Sequence, residues 1–452
     1  MHVRTPRRSL RRSMALTAAA ALTLAAAGCS SSSSGQPSGA PSPTGEPTAQ
    51  RASFDPPVRF DPAGVALPEQ AAAGKVSLGG QLVDDLALSV QDLTGYLTTE
   101  AGLQVVDLVS GEAGDLHSPT APVVPTSGNP SPLSAPALVR SDTTSLAVAA
   151  FVVTQPASGT TPEHRVVEVL ALDTATGEQA WQVTLELPQW AQEDSGSAPV
   201  VKVLAASSTS SPAGEAATPD GEVVVTVDGG WKQAITWGLM PEGGQQRWQH
   251  EGLLQATRIG DVVLGNQANS RDNGLLSALN AADGTLRWQA PAGTSLVSAS
   301  TVSPTLAGVN VNDYASGDNV FQVLNAGTGT VTDTIPTGRT GITLACHDDG
   351  AGTGVCGTNA GAAASAVIAY DGSAGTRLWN LPQDGSPRVA PALSTAWHGA
   401  VYGTTANGPV VLDAKTGADR EVSPGAAPVL VNDRVGIAVD SEGSVSAYTP
   451  IA

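Results

Sequence analysis

The sequence predicts an all-β fold, a single β-propeller of four-stranded antiparallel blades. Three observations predict it. First, an eleven-residue pattern, A-x-D-x-x-x-G-x-x-x-W, recurs along the chain. Its glycines fall at 111, 177, 244, 284, 329, 375 and 417, spaced by 66, 67, 40, 45, 46 and 42 residues. A period of about 40–45 residues with insertions is the signature of propeller blades. Second, polar–apolar alternation with abundant Val, Thr and Leu argues strands throughout, and no helix-period segment of useful length follows residue 54. Third, 50 Gly and 32 Pro provide frequent turns.

The chain opens on an address. Five Arg (Arg4, Arg7, Arg8, Arg11, Arg12) precede a 14-residue apolar run, residues 14–27. A bilayer needs about 20 residues, so the run is too short to span it and reads as the core of a secretory signal. It ends Ala26-Ala27-Gly28-Cys29, which resembles a bacterial lipobox, so Cys29 is expected to be lipidated and to become the mature N-terminus. The Arg pairs also fit twin-arginine export, and the choice of route stays open. Residues 29–53 are Ser, Pro and Gly rich. Such a segment buries too little to offset its ordering entropy, so it reads as a disordered tether. About 24 flexible residues span ~27 Å. The domains are therefore signal 1–28, tether 29–53 and propeller 54–452.

The blades follow in order. Clear repeats are ALDTATGEQAW (171–181), ALNAADGTLRW (278–288) and AYDGSAGTRLW (369–379). Weaker ones start at 105, 323 and 411, and a degenerate one is GLMPEGGQQRW (238–248). In each, two apolar residues end a strand, and in six of the seven an Asx caps the turn. Gly177, Gly244, Gly284 and Gly375 supply the φ > 0 position that closes it. Trp181, Trp248, Trp288 and Trp379 stand four residues beyond, at one constant point of an outer strand. There an indole can wedge between sheets while its N–H finds a partner. At that position the other copies carry Asp115, Asp333 and Glu421. The last hairpin, 433–450, has no outer strand of its own, and PPVRFDP (56–62) is expected to supply it. That gives eight blades, with seven as the alternative, in a ring closed by an N-terminal strand.

The repeat resembles the tryptophan-docking repeat of the PQQ-like, quinoprotein-type propellers. The resemblance covers roughly residues 54–452, and four copies carry the Trp. It implies a WD40-like ring of sheets. That family holds both PQQ-dependent dehydrogenases and non-enzymatic BamB-like envelope lipoproteins, so it implies no single function. The scarcity of Lys, four in all, with abundant Ala and Gly resembles a GC-rich, actinobacterial type.

Chemistry-bearing residues are few. Cys346 and Cys356 form an even pair outside the cytoplasm and are expected to bridge two strands of a hairpin. The chain-entropy gain is about 2.8 kcal/mol. The run Gly352–Gly357 matches GxGxxG but sits in no βαβ unit, so it reads as a turn rather than a dinucleotide site. The six His are scattered and read as solvated, with no HExxH and no GxSxG elbow. Asp348-Asp349 and Asn312-Asp313 with Asp318-Asn319 are weak Ca²⁺ candidates, without an EF-hand register. No catalytic residue, metal ligand or cofactor is assigned. The resemblance implies that a dehydrogenase of this family has a calcium-supported PQQ site with a catalytic Asp, aromatics to sandwich the cofactor and often a vicinal Cys-Cys pair, whereas this chain has no Cys-Cys and 4% aromatics.

Charge narrows the partners. Charged residues are 14% of the chain, where about 25% is usual. Five of the 22 basic residues and none of the 41 acidic ones precede Cys29, so the mature chain carries 17 against 41, a net charge of −24. Such a surface repels phosphate backbones, so nucleic acid is excluded as a partner. The sequence thus predicts a monomeric, lipid-anchored propeller on the extracytoplasmic face of the cell membrane. It is expected to act as a binding or scaffold module for a protein, peptide or cell-envelope ligand. The alternative is a propeller enzyme, a PQQ-dependent dehydrogenase or a hydrolase, with its site in the central channel.

Overall fold

The computed structural model describes residues 52–452 apart from 79–80, 125–133, 142–143, 193–198, 206–209, 212–220, 230–231, 269–273, 314–316, 339–341, 359–365 and 384. The signal, Cys29, nearly all of the tether and parts of the expected surface loops lie outside the described residues. No helix among the described residues is long and apolar enough to cross a membrane.

Eight four-stranded antiparallel sheets form the ring. Blade 1 comprises Leu88–Gln91, Thr94–Thr99, Gly102–Asp107 and Ala113–His117. Blade 2 comprises Ala137–Arg140, Ser145–Gln155, His164–Asp173 and Gln179–Glu186. Blade 3 comprises Val200–Leu204, Val223–Asp228, Ala234–Leu239 and Gln246–Glu251. Blade 4 comprises Leu253–Ile259, Val262–Gln267, Leu275–Asn280 and Leu286–Gln289. Blade 5 comprises Thr294–Ser303, Leu306–Asp313, Asp318–Asn325 and Val331–Gly338. Blade 6 comprises Leu344–Asp348, Thr353–Thr358, Val367–Asp371 and Arg377–Leu381. Blade 7 comprises Ala392–Trp397, Ala400–Thr405, Gly408–Asp413 and Asp419–Glu421. Blade 8 takes Leu430–Val431, Gly436–Val439 and Val445–Tyr448 from the C-terminus and its outermost strand, Val65–Ala66, from the N-terminus. First strands of neighbouring blades touch from blade 3 round to blade 8, Leu430–Val431 meets Leu88–Gln91 of blade 1, the first strand of blade 3 packs on the second of blade 2, and one apolar cluster joins blades 1 and 2, which closes the circle.

Burial explains why the ring holds. Each seam between blades is filled by its own apolar cluster, eight clusters for eight seams. A blade alone would expose both faces of its sheet; the ring covers each with a neighbour.

The closing strand differs from the expected segment. Val65 and Ala66 pair with Ala447 and Ser446, and the Leu67 N–H donates to Val445 O at 2.9 Å. PPVRFDP instead lies across the end of the seam. Its three prolines lack the N–H that a ladder needs. There Phe60 is fully buried and bridges Pro450, while the Tyr402 hydroxyl donates to Pro57 O at 2.6 Å.

Two further features depart from the sequence reading. A separate hairpin, Ala72–Leu78 with Gln81–Leu86, stands between blade 8 and blade 1. Residues Thr353–Thr358 form the second strand of blade 6, not a turn. The glycines there serve close approach between blades. A Cβ at Gly354 would stand 2.3 Å from Val302 O, and one at Gly357 would stand 2.7 Å from Leu393 Cβ.

Alternate turns of an up-and-down sheet lie on opposite faces. The Asx turns joining third and fourth strands share one face with the incoming chain, where the Asp61 N–H donates to Thr449 O at 2.9 Å. The connections between blades leave from the other face, among them those from His117 to Ala137, from Glu186 to Val200 and from Leu381 to Ala392, and the 72–86 hairpin. One insertion lies on the Asx-turn face. Its Ser210–Ser211 pairs in parallel with Val90–Gln91, on the axial edge of blade 1.

Candidate functional site

The repeat residues assemble at the seams. Each Trp reaches the next blade, where its indole N–H donates to the backbone carbonyl just after the Asx position. Trp181 bonds Pro241 O at 2.7 Å, Trp248 bonds Ala281 O at 2.8 Å, Trp288 bonds Ala326 O at 2.7 Å and Trp379 bonds Ala414 O at 2.7 Å. Each ring lies on the neighbour's turn glycine: Trp181 on Gly244, Trp248 on Gly284, Trp288 on Gly329 and Trp379 on Gly417. Gly177 and Gly375 meet other side chains, Val105 and Thr332, because the blades before them carry no Trp. All six of these glycines have φ between 67° and 73°.

The residue opposite the Trp is small. Trp181, Trp248, Trp288 and Trp379 pair across the sheet with Ala171, Gly238, Ala278 and Ala369. A Cβ on Gly238 would stand 2.0 Å from the Trp248 Nε1. Where the Trp is replaced by an acid the opposite residue is Val: Val323 faces Asp333 and Val411 faces Glu421. Valine fills the space an indole would cover, so the first position of the repeat reports which seam uses a Trp. That signal was present in the sequence and was not read.

The acidic substitutes make polar seams. Asp333 accepts from Arg377 Nε at 2.6 Å and Arg377 Nη2 at 2.9 Å, and from the Tyr370 hydroxyl at 3.0 Å. Burial alone would raise the Asp333 carboxyl; the bonds from Arg377 and Tyr370 outweigh it and hold it below its ordinary value. Glu421 meets Arg59 of the N-terminal segment at 3.4 Å. Asp115 is exposed, and Tyr96 performs the docking between blades 1 and 2 by donating to Thr174 O at 3.1 Å. Desolvation pushes the Tyr96 hydroxyl up to about 12.

Asparagines stitch two seams that sequence reasoning missed. Asn266 donates to Leu296 O at 2.7 Å and accepts from Leu296 N–H at 2.7 Å. Asn310 does the same with Leu344, at 2.7 and 3.0 Å. Glu168, fully buried in blade 2, accepts from Thr120 N–H, the Thr120 hydroxyl and Gln182, which pins the start of the 118–136 connection.

Cys346 and Cys356 are disulfide-bonded directly across the first two strands of blade 6. Next to them, desolvation lowers His347 to about 4 and raises Asp348 to about 6. Asp349 is a cap rather than a cation ligand. Its Oδ1 accepts from Ala351 and Thr353 N–H at 2.8 and 2.7 Å, and its Oδ2 accepts from Gly399 N–H of blade 7 at 3.1 Å. Asp313 and Asp318 pair in register across their hairpin, and their side chains lie outside the described set. His398 contacts Asp55 and stacks on Trp397 with ring centres 4.2 Å apart, so it is an N-terminal fastening rather than a solvated loop residue. Among the described residues no group of three or more His, Cys, Asp or Glu could hold a metal ion.

A family model agrees with the repeat. Residues 166–334 match the PQQ-like family model described as outer membrane protein assembly factor BamB, so the stretch from blade 2 to blade 5 carries PQQ-like propeller repeats. No curated protein sequence matches the chain. Among solved structures it is similar to BamB from Moraxella catarrhalis, with 14% identity, 83% of this chain and 97% of that chain covered, and a TM-score of 0.43. It is also similar to the Dos1 propeller, with 10% identity, 88% and 95% covered, and a TM-score of 0.44. A quinohemoprotein alcohol dehydrogenase from Pseudomonas putida is similar at 11% identity, with 87% and 78% covered and a TM-score of 0.41.

Proposed function

We propose that this chain is a lipid-anchored extracytoplasmic propeller that acts as a non-catalytic binding or scaffold module for another envelope component. The observation that carries the reading is the division of the ring into two faces. The chain enters on the Asx-turn face, and most of the long connections, with the 72–86 hairpin, leave from the opposite face, the Leu204–Val223 connection being the exception. An anchor at Cys29 would leave that second face free to meet a partner, and loops on a rigid scaffold are where binding sits. The family description, an outer membrane protein assembly factor, fits a scaffold at the cell envelope. The acidic surface favours a partner that is basic or neutral where it touches.

The enzyme alternative draws no support from the seams, because the perturbed carboxylate Asp348 stands beside an Asp349 whose oxygens are taken by backbone N–H groups. The test is in-cell photo-cross-linking from Glu163 on the loop face, with Lys415 on the Asx-turn face as control. One dominant envelope protein captured from Glu163 is the expected result. No partner above background from either face would overturn the reading.

A further inference from the structure

Blade 7 is incomplete at its outer edge. Its fourth strand matches only Val411 and Leu412 of the third, which leaves Gly408–Val410, half of that strand, without an outer neighbour among the described residues. In blade 6 the fourth strand runs back to Val367, the first residue of the third strand. In blade 8 a bond from Leu67 N–H to Val445 O does the same. The Asp413 N–H donates outward to Ala418 O, and alternate residues of a strand share a side, so Pro409 also faces outward. Proline has no N–H, so the vacant stretch offers a single backbone acceptor, the Pro409 carbonyl, and cannot template a long ladder.

A groove of about 250 Å³ occupies the vacancy. Pro387, Val389, Pro391, Pro409 and Val422 are among the residues that line it. Val389 and Val422, 63% and 65% exposed, are the two most exposed large apolar residues described. Single exposed valines are ordinary; two at one unfilled strand position are not. Arg388 is tied to Gly417 O and to Asp419, so the groove's cation is already engaged, whereas half of the Asp419 side chain stays exposed.

We propose that this groove binds an extended, basic-flanked polypeptide segment of a partner protein, which fills the missing stretch of the blade 7 outer strand. The shape of the vacancy selects an extended chain. Its apolar side chains cover Val389 and Val422, and one of its N–H groups reaches the Pro409 carbonyl. The charge selects the flanks: a chain with 17 basic and 41 acidic residues after Cys29 repels an acidic segment. The inference deepens the binding-module reading by naming where one partner docks and what chemistry it brings.

The probe is a fluorescein-labelled peptide, acetyl-Lys-Val-Thr-Val-Thr-Val-Lys-amide, titrated with the full chain and followed by anisotropy. Its counterpart carries Glu in place of both Lys. Saturable binding of the basic probe is expected, weaker binding of the acidic one, and a loss of about tenfold or more in Val389→Ser and in Val422→Ser. Both side chains are mostly exposed, so the variants should melt with the parent, and a melting scan checks this. No binding, or equal binding by parent and both variants, overturns the proposal. Binding that appears only after residues 30–51 are removed overturns it in favour of the chain's own tether, and self-association lost in both variants overturns it in favour of a second copy. Cross-linking from Glu163 with silent peptides would leave the binding-module reading standing and remove this one.

Discussion

Replacing Trp379 by Ala tests the seam directly. The side chain is 7% exposed, lies on Gly417 and donates its N–H to Ala414 O at 2.7 Å. Burying a Trp and then deleting it costs about 3–5 kcal/mol through lost transfer energy and the cavity left behind. The orphaned Ala414 carbonyl belongs within that range, since a lost neutral hydrogen bond is worth about 1 kcal/mol. For a domain of about 400 residues the unfolding entropy is large, and 1 kcal/mol corresponds to roughly 1.2 °C. The variant should therefore melt about 4–6 °C below the parent by calorimetry. Trp379→Phe keeps the ring and loses the bond, so it should lose roughly a third as much. Trp288 is only partly buried, and Trp288→Ala should fall about half as far as Trp379→Ala. An unchanged melting temperature for Trp379→Ala, or equal shifts at Trp288 and Trp379, would mean that indole burial does not hold the seams.

Three further outcomes follow from the same geometry. Cys29→Ala should move the protein from the membrane fraction to the soluble extracytoplasmic fraction; a variant that is processed normally and stays membrane-bound refutes the anchor. Ala278→Val places two methyl groups beneath Trp288, the residue it pairs with, and should cost about 1–3 kcal/mol with a red shift in Trp emission as the ring is pushed out. An unshifted spectrum would show that the small residue is incidental. Asp348 and His347 oppose each other in acid. The raised Asp348, about 6, gives stability that is present below its ordinary 3.8 and lost as pH rises to 6. The lowered His347, about 4, gives stability that is present above its ordinary 6.5 and lost as pH falls to 4. Asp348→Asn should therefore raise the urea midpoint at pH 7.5 and steepen its decline between pH 6.5 and 4, and a curve parallel to the parent's refutes both assignments.

Glycine spacing carried most of the architecture. A turn closed at φ near 70° strongly favours Gly, so those positions mark the blades even where the Trp and the Asx have drifted. Other features were less legible because they depend on what a residue touches across a seam. Asp333 reads as a solvated acid until Arg377, 44 residues on, is placed beside it. Gly354 and Gly357 read as a loop because glycine for close packing and glycine for a turn look alike in one sequence. The closing strand was misplaced by a few residues although Pro56, Pro57 and Pro62 argued against a ladder there. The open edge of blade 7 was invisible, since VLDAKTGADRE keeps the Asp and Gly of the repeat at their spacing and the strand stops only after it.

The way the seams are satisfied bears on where function can reside. The polar groups that the repeat brings together have internal uses: indole N–H groups bond carbonyls of the next blade, Asn266 and Asn310 clamp backbone, Asp349 caps a turn and Asp333 pairs with Arg377. A side chain engaged in that way is not available to a ligand without opening a seam, and opening one exposes an apolar cluster to water. Under the proposed binding role, recognition is expected where the repeat lapses: at the connections on the loop face and at the open strand position on blade 7. A substitution at a seam should lower stability and binding together, whereas Val389→Ser or Val422→Ser should change binding alone. That separation distinguishes a scaffold whose ring is purely structural from an enzyme whose ring residues also act on substrate.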